Sequence, residues 1–172
     1  MKKGTFIIGL LLATATAFAQ VDGISTFFSK YENDPAYTKV TVSGKMFSLF
    51  THIEGETAEE KEILKTISKL NGMKMLVRDN TTNGKQLYQQ AVKTKMPGFE
   101  VLMTVQDKDE DLQFYIKEQS GIVRELLLIG GGTTEFFMLS LTGDIDLKQL
   151  SKLSRAMDIN GLDKLDNLDK KK

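Results

Sequence analysis

The chain has 172 residues, no cysteine and a single histidine, with 23 basic residues balanced by 23 acidic ones. This length suits one ordinary domain with a real hydrophobic core. The missing cysteines exclude a disulfide framework, a thiolate nucleophile and a lipobox anchor, so the core alone must hold the fold. The balanced charge provides no basic field for nucleic acid or anionic lipid.

In chain order, "MKKGTFIIGLLLATATAFAQ" comes first. Lys2 and Lys3 form a positive start, Phe6 to Ala13 an apolar run, and Ala17-Phe18-Ala19 a small-x-small cleavage site. The pattern is that of a secretory leader occupying residues 1–19, too short in its apolar part for the ~20 residues of a membrane span. Cleavage removes two lysines and leaves a slightly acidic mature chain with no integral span.

Asp22 then opens a short amphipathic helix with Ile24, Phe27, Phe28 and Tyr31 at helical spacing, broken by "NDP" at 33–35. "KVTV" (39–42) alternates as a strand, and Met46, Phe47, Leu49 and Phe50 predict a short apolar helical segment. "TAEEKEILKTISKLNG" reads as a helix. Thr57 and Glu60 form a capping box, Ile63, Leu64, Ile67 and Leu70 the apolar stripe, and Gly72 the stop. "MKMLVRD" (73–79) is a strand. "TTNG" caps a further helix with Leu87, Tyr88, Ala91 and Val92 inward, ended by Pro97-Gly98.

From Phe99 the apolar period changes to two. "FEVLMTV", "LQFYIKE", "IVRELLLI" and "EFFMLSLT" predict a four-strand antiparallel meander joined by short polar or glycine turns. Asp146 caps a last helix carrying Leu147, Leu150 and Leu153, and residues 158–172 form a charged tail. The expectation is one α+β domain over residues 20–157: a largely antiparallel sheet with helices packed mainly on one face.

The segments "KVTVSGKMF", "NGMKMLVRD", "GFEVLMTVQDKDEDLQFYIKEQSGIVRELLLI" and "FMLSLTGDIDLKQLSKL" occur in an order that resembles the Bacteroidetes envelope family called domain of unknown function 4252. The resemblance covers roughly residues 22–155. Its most specific pieces are the "YIKE…I…ELLL" pair and the "LSLTGDIDL" ending. It implies an exported α+β domain of a diderm bacterium. It carries over no reaction and no catalytic residues, and without a lipobox cysteine no lipid anchor.

Several motifs invite chemistry. "IGGGTTE" has Gly130 and Gly132 but Glu135 where a dinucleotide loop needs its third glycine, and a strand follows it. It predicts a hairpin turn with glycines at positive φ. Asp107, Asp109, Asp111 and Glu118 take calcium-loop spacing, but Leu112 stands where the sharp turn needs glycine, so a charged hairpin tip is expected. "DNTTNG" (79–84) is a weaker partial match, explained as helix capping. His52 has no nucleophile elbow to serve. Met73 and Met75 point to one face, which suits Cu(I) in principle and core packing more simply. Asp144 and Asp146 suit acid–base work in principle and, following a strand and preceding a leucine stripe, more simply cap a helix start.

No catalytic residue, metal or cofactor is therefore expected. The chain reads as an exported, periplasmic, non-enzymatic domain that binds a cell-envelope protein. The alternative is a carrier of a lipid or other apolar small molecule; an enzyme working through carboxylates alone ranks last. The last two strands are apolar on both faces. If the short helices leave the second face uncovered, Leu102, Tyr115, Phe136 and Met138 form an exposed interaction patch.

Overall fold

A computed structural model describes residues 28–31, 33–94, 96–151 and 165. The expected leader with its cleavage site, the start of the first helix, Leu153 and the tail at 158–172 (all but Leu165) lie outside the described residues.

After a helical turn at 28–31, strand β1 (Thr38–Ser43) runs directly into helix α1 (Gly44–Leu49) and a 3-10 turn (Phe50–His52). Helix α2 (Ala58–Ile67) leads to β2 (Leu70–Arg78), and α3 (Gly84–Val92) leads to β3 (Glu100–Gln106). Then come β4 (Glu110–Gln119), β5 (Ile122–Gly132) and β6 (Phe136–Ile145). The capping box of α2 is present: Glu60 N donates to Thr57 Oγ1 at 3.1 Å and Thr57 N to Glu60 Oε2 at 3.0 Å. These backbone donors hold the Glu60 carboxyl below its ordinary pKa.

The six strands form one antiparallel sheet in the order β1-β2-β6-β5-β4-β3. The four-strand meander and the α+β class are as the sequence predicts. The most apolar strands, β5 and β6, are central, where both faces are buried.

Helices cover both faces. On the first face, Phe47 of α1, Ile67 of α2, Leu150 and Leu165 pack with Phe114, Leu128, Phe137 and Leu139 of the sheet. On the second, Leu87, Tyr88 and Ala91 of α3 join Tyr37 over Leu127, Ile129, Phe136 and Met138. An apolar side chain of this size stabilises the fold by about 1.5–3 kcal/mol when fully buried. The two-sided core is thus the main stabilising feature.

Two local expectations are corrected. Helix α2 stops at Ile67, and Leu70 and Gly72 belong to β2 instead of ending the helix. The pairing slips between Leu70 and Gly72, opposite Gly143, whose φ is +145°. A Cβ at Gly143 would lie 2.3 Å from the Lys69 carbonyl oxygen, so glycine is what lets the chains approach there. The start of α3 has Asn83 at its N-cap without a side-chain cap bond; the Thr81 hydroxyl donates to Asn83 Oδ1 at 2.5 Å instead.

The largest correction concerns the glycine run. Gly130, Gly131 and Gly132 lie in β5, buried, and none of them has positive φ; the turn itself is Thr133-Thr134-Glu135. The role of Gly130 and Gly131 is close packing. A Cβ on Gly130 would stand 2.3 Å from the Phe137 ring, and one on Gly131 2.5 Å from Tyr88 Cβ and 2.6 Å from the Gly84 carbonyl oxygen. A Cβ on Gly84 would in turn stand 2.0 Å from the Glu135 carbonyl oxygen and 2.5 Å from that of Gly132. Glycine facing glycine seats the first turn of α3 on the end of β5.

Candidate functional site

The patch expected at Leu102, Tyr115, Phe136 and Met138 does not exist as an exposed surface. Phe136 and Met138 are 0 % exposed and Tyr115 is 7 % exposed. The Phe136 ring meets Tyr37 edge-on at 6.4 Å. Tyr115 donates its hydroxyl to Gln113 Oε1 at 2.9 Å, and burial pushes its phenol up to about 12. Leu102 is half-buried and packs with the first face, not the second. The reason is a β-bulge. Val101 pairs with Tyr115 and Met103 with Phe114, so Leu102 is an extra residue and the alternation flips there.

The other motifs take structural places. At the β3–β4 tip, Asp107 Oδ1 accepts from the backbone N–H of Asp109 and Glu110 at 2.8 Å each, closing a local turn. Lys85 of α3 reaches this tip and donates to the carbonyls of Asp107 and Lys108. Asp146 Oδ1 accepts from Lys148 N and Gln149 N and caps the helical residues 147–151, while Asp144 pairs with Arg124. His52 is exposed at the end of the 3-10 turn. Met73 and Met75 face Leu141 and Leu139 across the β2–β6 ladder, within the first-face core. Among the described residues no three histidine, aspartate or glutamate side chains gather as a metal site.

Among the described residues, one regular edge of the sheet has no further strand beside it. Strand β1 ends the sheet, its six residues pair with β2 without a register slip, and five of them are exposed. A regular edge of this kind presents a row of N–H and C=O groups able to receive another strand. The opposite edge, β3, is interrupted by the bulge at Leu102.

On β1 and the helical segment that follows it lie exposed apolar side chains. Val40 on β1 is 39 % exposed, Met46 and Leu49 on α1 are 49 % and 50 %, and Ile53 just after the 3-10 turn is 54 %. Alpha-helix α1 follows β1 without a loop, packs on β1 and β2, and anchors Phe47 in the first-face core. With Phe47 turned inward, Met46 and Leu49 remain on the outer sides of so short a helix. Among the described residues, Val101 and Ile122 are the other large exposed apolar residues, and they stand elsewhere, on β3 and at the start of β5.

The sequence marks Met46 and Leu49 as members of an apolar helix, but their exposure follows from pairing between β1 and β2, which no local pattern encodes.

Among the described residues no helix is long and apolar enough to cross a membrane. A family model described as "Domain of unknown function (DUF4252)" matches residues 31–153. No curated protein and no solved structure matches the chain.

Proposed function

The chain belongs to the family of domain of unknown function DUF4252, and we propose that it is an exported, periplasmic, non-catalytic domain that binds a protein of the cell envelope along edge β1 and the apolar rim of α1. One observation carries the reading: Val40 on β1, and Met46 and Leu49 on α1, which follows β1 directly and packs on it, are exposed where, among the described residues, the sheet has a regular outer edge. Main-chain groups of such an edge give affinity for an extended segment, and neighbouring apolar side chains give it selectivity. Export rests on the leader pattern of residues 1–19.

The carrier alternative has less support. A groove between helix and sheet is its natural site, yet α3 sits directly on β5 through Gly84 and Gly131, with Leu87, Tyr88 and Ala91 filling the layer.

A photo-crosslinking residue placed at Leu49 tests the proposal in living cells, with Gln89 on the exposed side of α3 as control. Capture of a discrete polypeptide at position 49 and none at 89 is expected. Capture at 89 alone would point to a different surface.

A further inference from the structure

Resting on the reading that edge β1 is the docking surface, we propose that its occupant is β1 of a second copy of this chain. The two strands run antiparallel about a two-fold axis at Thr41, so that two six-stranded sheets become one. The register follows from the faces. Val40 and Val42 lie opposite Met75 and Met73 and share the first face with them; Lys39 and Thr41 point to the second. A two-fold axis perpendicular to the sheet keeps each face on its own side, so only residues of equal parity can stand opposite one another.

With Thr41 on the axis, it meets Thr41 of the other copy, and Val40 meets Val42 twice. Lys39 lands opposite Ser43. Threonine pairs and β-branched apolar pairs stabilise antiparallel ladders. The one charged side chain of β1, Lys39, meets a neutral residue, and its two copies sit at opposite ends of the ladder. Shifting the axis to Val40 would place Lys39 opposite Thr41 and Thr38 opposite Val42, leaving Val40 with Val40 as the one like pair where the axis at Thr41 gives three. The sequence of β1 is thus better matched to itself about Thr41 than about Val40.

The rest of the edge supports the same occupant. Because α1 lies on the first face beside β1, the two-fold pairing brings both apolar rims to the same side of the joined sheet, flanking the seam. A β1-to-β3 contact would propagate without closing, and the bulge in β3 opposes it. A β1-to-β1 contact closes after two copies.

Charge reversal at the axis tests this in the full chain as cells produce it. Thr41 is exposed, so Thr41→Lys and Thr41→Glu leave the core untouched. Sedimentation velocity should show a dimer for the unaltered chain, monomers for each variant alone, and dimers again when the two are mixed. A unaltered chain that stays monomeric at every concentration overturns the proposal. So does a Thr41→Lys protein that remains dimeric, or a mixture of folded variants that fails to pair. A crosslinking residue at Val40 separates this from the broader reading: capture of a different polypeptide by a monomeric chain refutes the second copy but keeps the docking edge, and no capture at all refutes both.

Discussion

At the residue scale, the glycine run is the sharpest case of one pattern with two physical meanings. "IGGG" before "TTE" is compatible with a turn or with close packing, because glycine serves both; only tertiary contact separates them. The contacts predict an order of effects. Gly131→Ala forces a Cβ into Tyr88 and the Gly84 carbonyl and should cost about 1–3 kcal/mol. Gly132→Ala meets nothing nearer than 3.4 Å and should cost well under 1 kcal/mol, within the ordinary range of a tolerated change. Urea unfolding of both variants measures the difference, and equal costs would contradict the packing role. Tyr115 gives a second residue-level expectation. Burial raises its phenol from 10.0 to about 12, and it raises those of Tyr88 and Tyr37 as well. The folded chain therefore keeps protons that the unfolded chain loses, so this contribution is whole below about pH 10 and declines as pH climbs toward 12. Unfolding followed across that window should show falling stability, and Tyr115→Phe should flatten the fall.

At the element scale, much of the fold is legible in sequence. The capping box at Thr57 and Glu60, the alternation of β4, and the apolar runs of β5 and β6 each state their own structure. Boundaries and coverage are less legible. The extra Leu102 turns the alternation of β3 over, and nothing local announces a bulge. Likewise the burial of Phe136 depends on α3, carried over the second face by the long connection from β2 to β3, and on Tyr37, which stands just before β1. This placement reverses an expectation about mutants. Phe136→Ser should unfold the domain or cost more than about 3 kcal/mol, since it empties a fully buried site and adds a hydroxyl. Leu49→Ser, at a half-exposed position on α1, should cost less than about 1 kcal/mol. Thermal melts of the two variants compare them directly. Similar losses in both would place Leu49 in the core and remove it from the docking surface.

At the scale of the whole molecule, the sheet has two unlike edges, and that asymmetry carries the functional account. The meander explains the bulged edge at β3, while β1 is added on the far side of β2 as a flat strand with an apolar helix beside it. The candidate site was only half visible in the sequence: its residues are apolar and local, but their position at an edge arises from the order β1-β2-β6, a pairing over long sequence distance. Amide hydrogen exchange of β1 in the protein recovered from the cell envelope tests the central claim most directly. Alternate amides of β1 point away from β2, where a strand that joins the edge would bond them. The account predicts that these outward amides exchange slowly in the recovered protein and quickly in the Thr41→Lys variant. Fast exchange in both, at the rate of open chain, would show that nothing docks on this edge.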